Sequence, residues 1–387
     1  MYDFKRPFSF HFELTDKCNA RCIQCSRNQI NDKGEIEQRP ELCLTEITLD
    51  QYKNIFKDYQ QRASVVLFCG NFGDPMFAKD IFDITDYTMS NVLVPHTGIF
   101  RNYTNGGFRS KKWWYEYGKL LKGTRHLLNF SIDGLEETNH LYRVNVRYDR
   151  VIENAVAFME GGGKAEWSFI RFGHNQHEEE EARRRAKELG FYQFTAVNTQ
   201  RFYGKEKIDY KWRGNDYAIT RYKPKTKVKE LSSNIDNHKK EWDGKKYTDY
   251  SADEINYNTQ KQFDNFAKKG QSNSRIDSAG SIDCHVQKKN DIFIDAMGYL
   301  HPCCWIGSYE YHKMRGIFKP HMEYSMDNYL LDNRTYQKVW EKDFREILKD
   351  DWFEHVLPLS WEVSPCMICT RQCSKHKFIT VRQSEKI

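Results

Sequence analysis

The feature that most constrains the fold is a regular alternation of strand-like and helix-like segments over the first half of the chain. Short apolar segments have the pattern of β-strands, and amphipathic segments separate them. Strands that alternate with helices favour parallel pairing, because a parallel connection needs a crossover of a dozen or more residues. The strand-like segments are 8–14, 64–70, 98–105, 126–133, 165–172 and 191–197, and the helical segments are 48–61, 78–91, 110–122, 148–160 and 177–189. The sequence therefore predicts an α/β fold with a parallel sheet, whose ligands lie at the carboxyl ends of the strands.

Helix 177–189 carries the clearest local signals. Asn175 is predicted to cap its N-terminus, and Gly190 is predicted to end it. Acidic residues precede basic residues by four positions, which places opposite charges on adjacent turns. These pairs start at Glu179, Glu180 and Glu181 and end at Arg183, Arg184 and Arg185.

The eleven cysteines form two clusters that lie far apart in the sequence. In a chain of 387 residues this distribution favours metal or redox chemistry in a reducing compartment over a disulfide scaffold. Structural zinc sites and electron-transfer clusters take four ligands, so a group of only three thiols suggests a metal centre with one open position. The first cluster is Cys18, Cys22 and Cys25; the second is Cys284, Cys303, Cys304, Cys366, Cys369 and Cys373; Cys43 and Cys69 stand alone.

The length and the N-terminal composition bear on domain number and location. A chain of 387 residues is long enough for two or three domains. Residues 1–18 alternate apolar and polar side chains and contain no apolar stretch long enough for a signal peptide or a membrane span. We therefore expect a cytoplasmic protein with no membrane partner.

Residues 201–280 differ from the rest in charge. They contain 18 Lys and Arg against 12 Asp and Glu, an excess equal to the formal net charge of +6 for the whole chain. The run RYKPKTKVK (221–229) lies among aromatic residues, a combination that could follow a nucleic-acid backbone and stack on its bases. We interpret 201–280 as a solvated, basic, aromatic-rich insertion or linker, because charge runs are usually solvated and the pI of 8.6 is modest.

Four segments together resemble the radical S-adenosylmethionine (SAM) enzymes. CNARCIQC (18–25), after the first strand, has their C-x3-C-x2-C spacing, and the alternating segments resemble their partial (β/α)6 TIM-like barrel. CGNFGDP (69–75) is similar to the Gly-Glu-Pro-type motif after the second strand, with Asp74 where the family more often has Glu. YTNGG (103–107) and SIDG (131–134), the latter with HLYR (140–143) downstream, resemble the third-strand motif and the fourth-strand region. The resemblance covers about residues 8–200.

The resemblance implies a cofactor site and a reaction. Cys18, Cys22 and Cys25 would bind three irons of a 4Fe-4S cluster, and the fourth iron would bind the amino and carboxylate groups of SAM. Reductive cleavage of SAM would give a 5′-deoxyadenosyl radical that abstracts hydrogen from a substrate. At Gln24 the family usually has an apolar or aromatic residue that packs on adenine, so a hydrogen bond from the amide is the alternative. The other implied SAM contacts are Gly70, Gly73, Asp74, Pro75, Asn105, Ser131 and Arg143.

The second cysteine cluster resembles an auxiliary iron-sulfur domain. Cys284, Gly298 and Cys303 form a C-x13-G-x4-C pattern, and CMICTRQC (366–373) follows. This order is similar to twitch, the shorter form of the SPASM domain. It implies one auxiliary 4Fe-4S cluster bound by Cys284, Cys303 and two of Cys366, Cys369 and Cys373, with Cys304 as a neighbour. A structural zinc site is the alternative.

The predicted organisation is a radical SAM core domain (1–200), the insertion or linker (201–280) and a small twitch/SPASM-like iron-sulfur domain (281–387). The first functional hypothesis is an enzyme that oxidises or cross-links a peptide or protein side chain, with an electron donor such as flavodoxin or ferredoxin. The alternatives are modification of a nucleic acid, for which 201–280 is the evidence, modification of a small alcohol or sugar, and a non-enzymatic iron-sulfur or zinc protein that keeps the fold.

Overall fold

The computed structural model describes residues 2–199, 201–202, 205–223, 282–308, 334–363, 369, 373 and 383–387. Its strands are β1 (Ser9–Phe12), β2 (Asn28–Ile30), β3 (Ile36–Gln38), β4 (Val65–Phe68), β5 (Ile99–Thr104), β6 (Leu127–Ser131), β7 (Lys164–Arg171), β8 (Gln193–Asn198), β9 (Lys207–Trp212), β10 (Asn215–Thr220), β11 (Asp291–Ile294), β12 (Leu300–His301) and β13 (Gln383–Lys386). The helices are α1 (Leu49–Phe56), α2 (Ile81–Tyr87), α3 (Lys111–Leu120), α4 (Asn139–Tyr142), α5 (Tyr148–Glu160), α6 (Glu179–Glu188), α7 (His285–Lys288), α8 (Phe344–Ile347) and α9 (Leu357–Val363). A 3-10 turn spans Pro75–Phe77, and π-helical turns span Thr88–Val92 and Trp352–Val356.

Most of the described strands join a nine-stranded sheet in the order β12-β11-β1-β4-β5-β6-β7-β8-β13. All neighbours from β11 to β8 are parallel, whereas the edge strands β12 and β13 run antiparallel to their neighbours. The six strands predicted from the sequence are β1 and β4 to β8, and the five predicted helices are α1, α2, α3, α5 and α6. The prediction of an α/β fold with a large parallel sheet is confirmed.

Alternating burial along β1 places the first cysteine loop. Phe10 and Phe12 are buried with their rings stacked 6.1 Å apart, and Phe10 meets Phe56 of α1 edge to face at 4.9 Å. On the neighbouring strand, Phe68 contacts Phe12 at 6.2 Å. Burial of these rings fixes β1 in the sheet and packs it against α1. The chain therefore leaves β1 at the carboxyl edge of the sheet, where the first cysteine loop begins.

The C-terminal part of the chain extends this sheet at both edges. β11 pairs in parallel with β1, with Ser9 opposite Asp291, and β12 returns antiparallel beside β11. β13 pairs antiparallel with β8, with Gln383 opposite Ala196. β11, β12 and β13, which lie in the segment 281–387 predicted to form a small domain, are therefore continuous with the main sheet.

The beginning of the basic insertion forms a hairpin. β9 and β10 pair antiparallel around the turn at Arg213 and Gly214, both with positive φ. Tyr210 of the hairpin donates a hydrogen bond from its hydroxyl to Leu141 O at 2.7 Å, which fixes the hairpin against α4. The rest of the predicted insertion, 203–204 and 224–280, lies outside the described residues.

The structure corrects the predicted start of α6. Glu178 occupies the N-cap position, while Asn175 is buried and donates through Nδ2 to Asp133 O at 2.8 Å and Ile170 O at 2.9 Å. Asn175 therefore joins the ends of neighbouring strands and does not cap the helix. The predicted end is confirmed, because Gly190 has a φ of 87° there.

The charge pairs of α6 agree in part with the predicted spacing. Glu179 pairs with Arg183 at 3.2 Å and Glu181 with Arg185 at 2.9 Å, both four residues apart. The predicted pair of Glu180 with Arg184 does not form, since Arg184 lies between Glu181 and Glu188.

None of the described helices has the length and apolarity needed to cross a membrane.

Candidate functional site

The loop that carries the first three cysteines lies at the carboxyl edge of the parallel strands. Each thiol there contacts a different loop. Asn105 Nδ2 lies 3.5 Å from Cys18 Sγ, an Arg143 guanidinium nitrogen lies 3.7 Å from Cys22 Sγ, and Cys25 Sγ lies 3.9 Å from Asn71 O. The fold thus brings 18–25 together with the loops after β4 and β5 and with α4, as the order of the sequence motifs predicts.

The thiols of the first cysteine loop lie in an environment that disfavours free thiolates. Burial raises the pKa of Cys22 to about 11 and also raises the pKa of Cys18, so both thiolates need a cation to offset the cost of burial. Within the described ranges no three His, Cys, Asp or Glu side chains converge on a single-ion site. Three thiols carried by one loop are donors of the type that hold an iron-sulfur cluster.

The 69–75 loop is folded so tightly that two of its positions have no room for a side chain. A Cβ on Gly73 would lie 1.8 Å from Thr15 O, and one on Gly70 would lie 2.2 Å from Gly73 O. Glu13 Oε1 accepts hydrogen bonds from Phe72 N at 2.6 Å and Gly73 N at 3.0 Å. The loop is therefore held against the extension of β1, and burial raises the pKa of Glu13 to about 8.

The side chain of Asp74 is fully engaged within the protein. It accepts hydrogen bonds from Met76 N at 3.0 Å, Thr104 Oγ1 at 2.9 Å and Asn105 N at 2.7 Å. Burial raises its pKa. Pro75, also predicted to lie near the cofactor, is buried and begins the 3-10 turn. Asp74 therefore positions the loops after β4 and β5 against each other, and its carboxylate oxygens are committed to protein donors.

The remaining predicted SAM contacts have mixed surroundings. Asn105 Nδ2 donates to Asn19 Oδ1 at 2.9 Å, which holds the amide beside the cysteine loop. Ser131, at the end of β6, is half-buried and lies 3.4 Å from Asn129 Oδ1. Arg143, predicted to bind a carboxylate, is paired through Nε with Asp133 Oδ2 at 2.5 Å.

Gln24 lies where the cysteine loop meets the end of β8. Gln24 Oε1 accepts from Thr199 Oγ1 at 2.9 Å, and the same hydroxyl accepts from Arg201 N at 3.1 Å. Thr199 thus donates to the amide oxygen of Gln24, and the amide nitrogen lies on the other side of the side chain. Gln24 Nε2 is buried and has no hydrogen-bond partner within the described part of the chain.

Sequence reasoning missed two carboxylates that organise the site. Glu13 anchors the 69–75 loop, and Asp133 binds Arg143 and also accepts from Ile170 N at 2.6 Å. Asp133 belongs to the quoted SIDG segment, so its position after a strand was the available signal. Glu13 gave none, because a charged residue at an alternating strand position is ordinarily assigned to solvent.

The second cysteine cluster is partly assembled. A hydrogen bond with the Cys373 thiol lowers the pKa of Cys284 to about 7, and Asp283 N donates to Cys373 O at 2.7 Å. Burial raises the pKa of Cys303, and the nearby charges of Cys304 and Cys284 raise it further. The structure thus brings Cys284, Cys303 and Cys373 into one region.

The other cysteines of this cluster have different surroundings. Cys369 is buried, and Cys366 lies outside the described residues. Cys304 O accepts from Asn71 Nδ2 at 2.9 Å, so Cys304 lies against the 69–75 loop. Cys304 therefore stands between the first cysteine loop and the second cluster.

No protein-family model and no curated protein sequence matches this chain. Among solved structures, SuiB of Streptococcus suis bound to precursor peptide SuiA is similar, with a TM-score of 0.50, 16% identity and coverage of 91% of this chain and 66% of that chain. SuiB bound to S-adenosylmethionine has a TM-score of 0.49, 15% identity and coverage of 91% and 68%. A polyhistidine-tagged anSMEcpe with bound AdoMet has a TM-score of 0.48, 14% identity and coverage of 92% and 81%. This chain spans about two thirds of SuiB and shares its fold, which confirms the predicted resemblance to radical SAM enzymes at the level of the fold.

Proposed function

We propose that this protein is a radical SAM enzyme that cleaves SAM reductively to a 5′-deoxyadenosyl radical and abstracts hydrogen from its substrate. The observation that carries the proposal is the contact of Cys18, Cys22 and Cys25 with three different loops at the carboxyl edge of the sheet. The proposal includes a partial (β/α)6 barrel made of β1 and β4 to β8. A protein that only kept this fold as a scaffold would have no need for that convergence.

The residues of the chain have separate parts in this site. A 4Fe-4S cluster bound by Cys18, Cys22 and Cys25 would supply the electron that cleaves SAM. The Arg143 guanidinium and the Asn105 amide donate toward two of the thiols and would favour their thiolate forms when the cluster is bound. Gly70 and Gly73 let the 69–75 loop pack against Thr15 and on itself, and Asp74 and Pro75 fix the loop in that position. The backbone of this loop would bind the methionine end of SAM. Ser131 lies at the same edge, where a ribose hydroxyl would bind.

We assign the substrate to the class of peptides or proteins, with oxidation or cross-linking of a side chain as the outcome. The support is the fold shared with SuiB, whose structure was determined with a precursor peptide bound. A reducing compartment would keep the cysteines as thiols, so we place the enzyme in the cytoplasm with flavodoxin or ferredoxin as its electron donor.

A second, auxiliary 4Fe-4S cluster is the best use of the C-terminal cysteines. The proximity of Cys284, Cys303 and Cys373 supports it, and the fourth ligand would be Cys369 or Cys366. Such a cluster would accept an electron from the substrate radical or bind the substrate. We retain a core of 1–200, an insertion of 201–280 and an auxiliary domain of 281–387 as the proposed organisation, with the last unit attached through β11.

The decisive experiment is anaerobic. The protein is reconstituted with iron and sulfide, mixed with SAM and a strong reductant, and assayed for 5′-deoxyadenosine beside a Cys18→Ala/Cys22→Ala/Cys25→Ala variant. We expect product from the wild type only, with iron retained at the second site of the variant. A Cys43→Ala variant, at a cysteine outside both clusters, is the matched control and should behave as the wild type. A wild type that binds both clusters and makes no 5′-deoxyadenosine would favour the non-enzymatic scaffold.

The auxiliary site is tested separately with a Cys284→Ser/Cys303→Ser/Cys373→Ser variant. We expect this protein to lose the iron of one cluster and still to cleave SAM, because the first cysteine loop is unchanged. Metal analysis of the protein as isolated decides the alternative. Stoichiometric zinc that disappears in this variant would replace the auxiliary cluster by a structural zinc site.

A further inference from the structure

A cleft of about 370 Å³ opens between the β9–β10 hairpin and the chain that follows α4. Its apolar floor contains Val144 and Val146, and its walls contain Tyr210, Trp212 and Arg213. The volume is within the range of about 300–1,000 Å³ found for pockets that bind small ligands or side chains. None of these residues was assigned to the cofactor site.

The cleft is joined rigidly to the cysteine loop. Arg21 N donates to Val144 O at 2.8 Å, and Asn145 Nδ2 donates to Asn19 O at 2.8 Å. In each of these bonds, one partner belongs to the cysteine loop 18–25 and the other lines the cleft. An occupant of the cleft would therefore be held beside the loop that binds the cofactor, outside the reacting centre.

The charge of the cleft has one sign. No Asp or Glu is among its described lining residues. Arg147 is paired with Asp149, whereas Arg213 is exposed and has no carboxylate partner in the described part of the chain. Arg213 donates to Asn145 Oδ1 at 3.4 Å and lies over the ring of Trp212 at 5.4 Å. A guanidinium held in this way, above an apolar floor, complements a carboxylate that has apolar neighbours.

Each aromatic ring of the cleft has a contact on one face or edge, which leaves fewer free faces for a ligand. Tyr210 and Tyr217 stack 5.4 Å apart with an interplanar angle of 19°, and His140 meets Tyr217 edge to face at 6.1 Å. Arg213 covers Trp212. Nucleic-acid bases need free aromatic faces on which to stack. The cleft therefore fits peptide side chains better than it fits a single-stranded nucleic acid.

We propose that this cleft is a docking site for an acidic, apolar segment of a peptide substrate, distant in sequence from the residue that reacts. This inference rests on the proposed function, because it assumes that the substrate is a peptide or protein. Arg213 binds the acidic side chain, and Val144 and Val146 contact its apolar neighbour. Docking there holds the substrate next to the cysteine loop and raises its effective concentration at the reacting centre.

Peptide binding to the full chain, without SAM or reductant, tests the proposal. The probes are two fluorescein-labelled octapeptide mixtures, one of Asp, Glu, Leu, Val and Gly, the other with Lys and Arg in place of Asp and Glu. A labelled oligouridylate is the nucleic-acid probe. We expect fluorescence anisotropy to detect the acidic mixture and not the basic one. Arg213→Glu should weaken that binding about tenfold, because it replaces the attraction by like-charge repulsion.

Lys207→Glu is the matched control. Lys207 is on the same hairpin, is paired with Asp209 at 2.6 Å and does not line the cleft. It makes the same change in net charge, so it should alter binding by less than about twofold. Arg213→Lys keeps the positive charge and should retain most of the affinity, while thermal melting of each variant verifies that it is folded.

Several results would overturn the docking site: no binding of the acidic mixture, equal binding of the basic mixture, or equal losses in Arg213→Glu and Lys207→Glu. Displacement of the peptide by oligouridylate with the same dependence on Arg213 would reassign the cleft to nucleic acid. A chain that has bound both clusters, binds the acidic mixture through Arg213 and makes no 5′-deoxyadenosine refutes the proposed function and leaves the cleft as a peptide-binding site. A chain that makes 5′-deoxyadenosine and binds no peptide refutes only the docking site.

Discussion

Glu13 shows how a single buried carboxylate can fix a loop, here residues 69–75. It is 1% exposed, directly after β1, and its Oε1 binds two successive backbone N–H groups of the 69–75 loop. In a parallel sheet that is covered on both sides, the face opposite the core is not solvent. The alternation in 8–14 correctly predicts the buried phenylalanines, but it cannot predict that Glu13 is buried as well.

The raised pKa of Glu13 predicts a specific pH dependence of stability. Burial raises the pKa from an ordinary 4.5 to about 8, so the folded chain holds a proton that the unfolded chain loses between those values. The contribution of this carboxyl to the free energy of unfolding is fully present below about pH 4.5 and is lost as the pH rises through about 8. Glu13→Gln keeps an acceptor oxygen and removes the titration. Between about pH 5.5 and 8.5 we expect the wild type to lose on the order of 3 kcal/mol relative to this variant.

Urea unfolding of both proteins at the two pH values measures this difference. Glu46→Gln, at a partly exposed carboxylate paired with Lys17, is a control that should leave the pH dependence of the wild type unchanged. Equal slopes with pH in wild type and Glu13→Gln would show that Glu13 is ionised throughout.

The unpaired amide nitrogen of Gln24 predicts an effect on SAM affinity. Thr199 fixes the amide oxygen, so the buried Nε2, which lacks a partner within the described residues, is left as a donor aimed away from it. A buried donor without a partner costs about 1–3 kcal/mol, which a ligand acceptor such as an adenine nitrogen would recover. Gln24→Leu should therefore weaken SAM binding about tenfold, and Thr199→Val, which frees the amide to rotate, should weaken it less.

Anaerobic equilibrium dialysis with labelled SAM measures these affinities without turnover. Gln29→Leu, at a glutamine bonded to Glu37 in the β2–β3 hairpin, is the control and should bind SAM as the wild type does. Unchanged affinity in Gln24→Leu would remove Gln24 from the cofactor site.

Among the structural elements, the 69–75 loop can adopt its fold only because Gly70 and Gly73 have no side chain. Gly73→Ala would place a Cβ 1.8 Å from Thr15 O, which the backbone can relieve only by separating the loop from β1. We expect this variant to lose SAM binding and to lower the melting temperature by several degrees, since strain of a few kcal/mol has that effect. Gly123→Ala is the control. Gly123 has a positive φ, 73°, but nothing lies within 4 Å of the added Cβ.

Differential scanning fluorimetry and SAM binding of the two variants separate crowding from backbone strain alone. Equal effects of Gly73→Ala and Gly123→Ala would show that the close approach to Thr15 has no special importance.

The sequence predicts the local elements well and the distant pairings poorly. The six parallel strands and five helices follow from hydrophobic periodicity and from local end signals such as Gly190. Asn175 was misassigned because its hydrogen bonds go to Ile170 and Asp133, which only the assembled sheet brings near it. The pairing of β11 with β1 and of β13 with β8 has no local signal either, since it depends on edges that are free only after the other strands have paired.

The candidate site shows the same contrast between what the sequence predicts and what only the assembled fold determines. The resemblance correctly indicates which loops converge on the cysteines, because motif order along parallel strands fixes their order at the sheet edge. It does not indicate that Asp74 and Arg143 are already engaged by Thr104 and Asp133, because side-chain partners depend on orientation within the assembled site.

At the scale of the molecule, β13 protects an edge of the sheet. It pairs with β8, and Glu385 adds an ion pair to Arg183 at 2.8 Å. A chain that ends at residue 380 would leave the hydrogen-bonding groups of β8 exposed, and such edges promote association. We therefore expect this truncation to aggregate, which static light scattering would measure. Glu385→Gln removes only a half-exposed ion pair, worth about 0–1 kcal/mol, and should remain monodisperse. A truncated protein that stays monodisperse would show that β13 does not protect this edge.

The pairing of Ser9 with Asp291 has a consequence for the time course of synthesis. β1 leaves the ribosome early, but its neighbour β11 follows only after most of the chain has been made, on the order of tens of seconds later at about 5–20 residues per second. During that interval the strand before Cys18, Cys22 and Cys25 has an unpaired edge. Cys304, whose carbonyl accepts from Asn71 beside the cysteine loop, has not yet been made. Under the proposed function, nascent chains stalled before residue 291 are therefore the ones in which iron-delivering proteins would have the freest access to the three thiols.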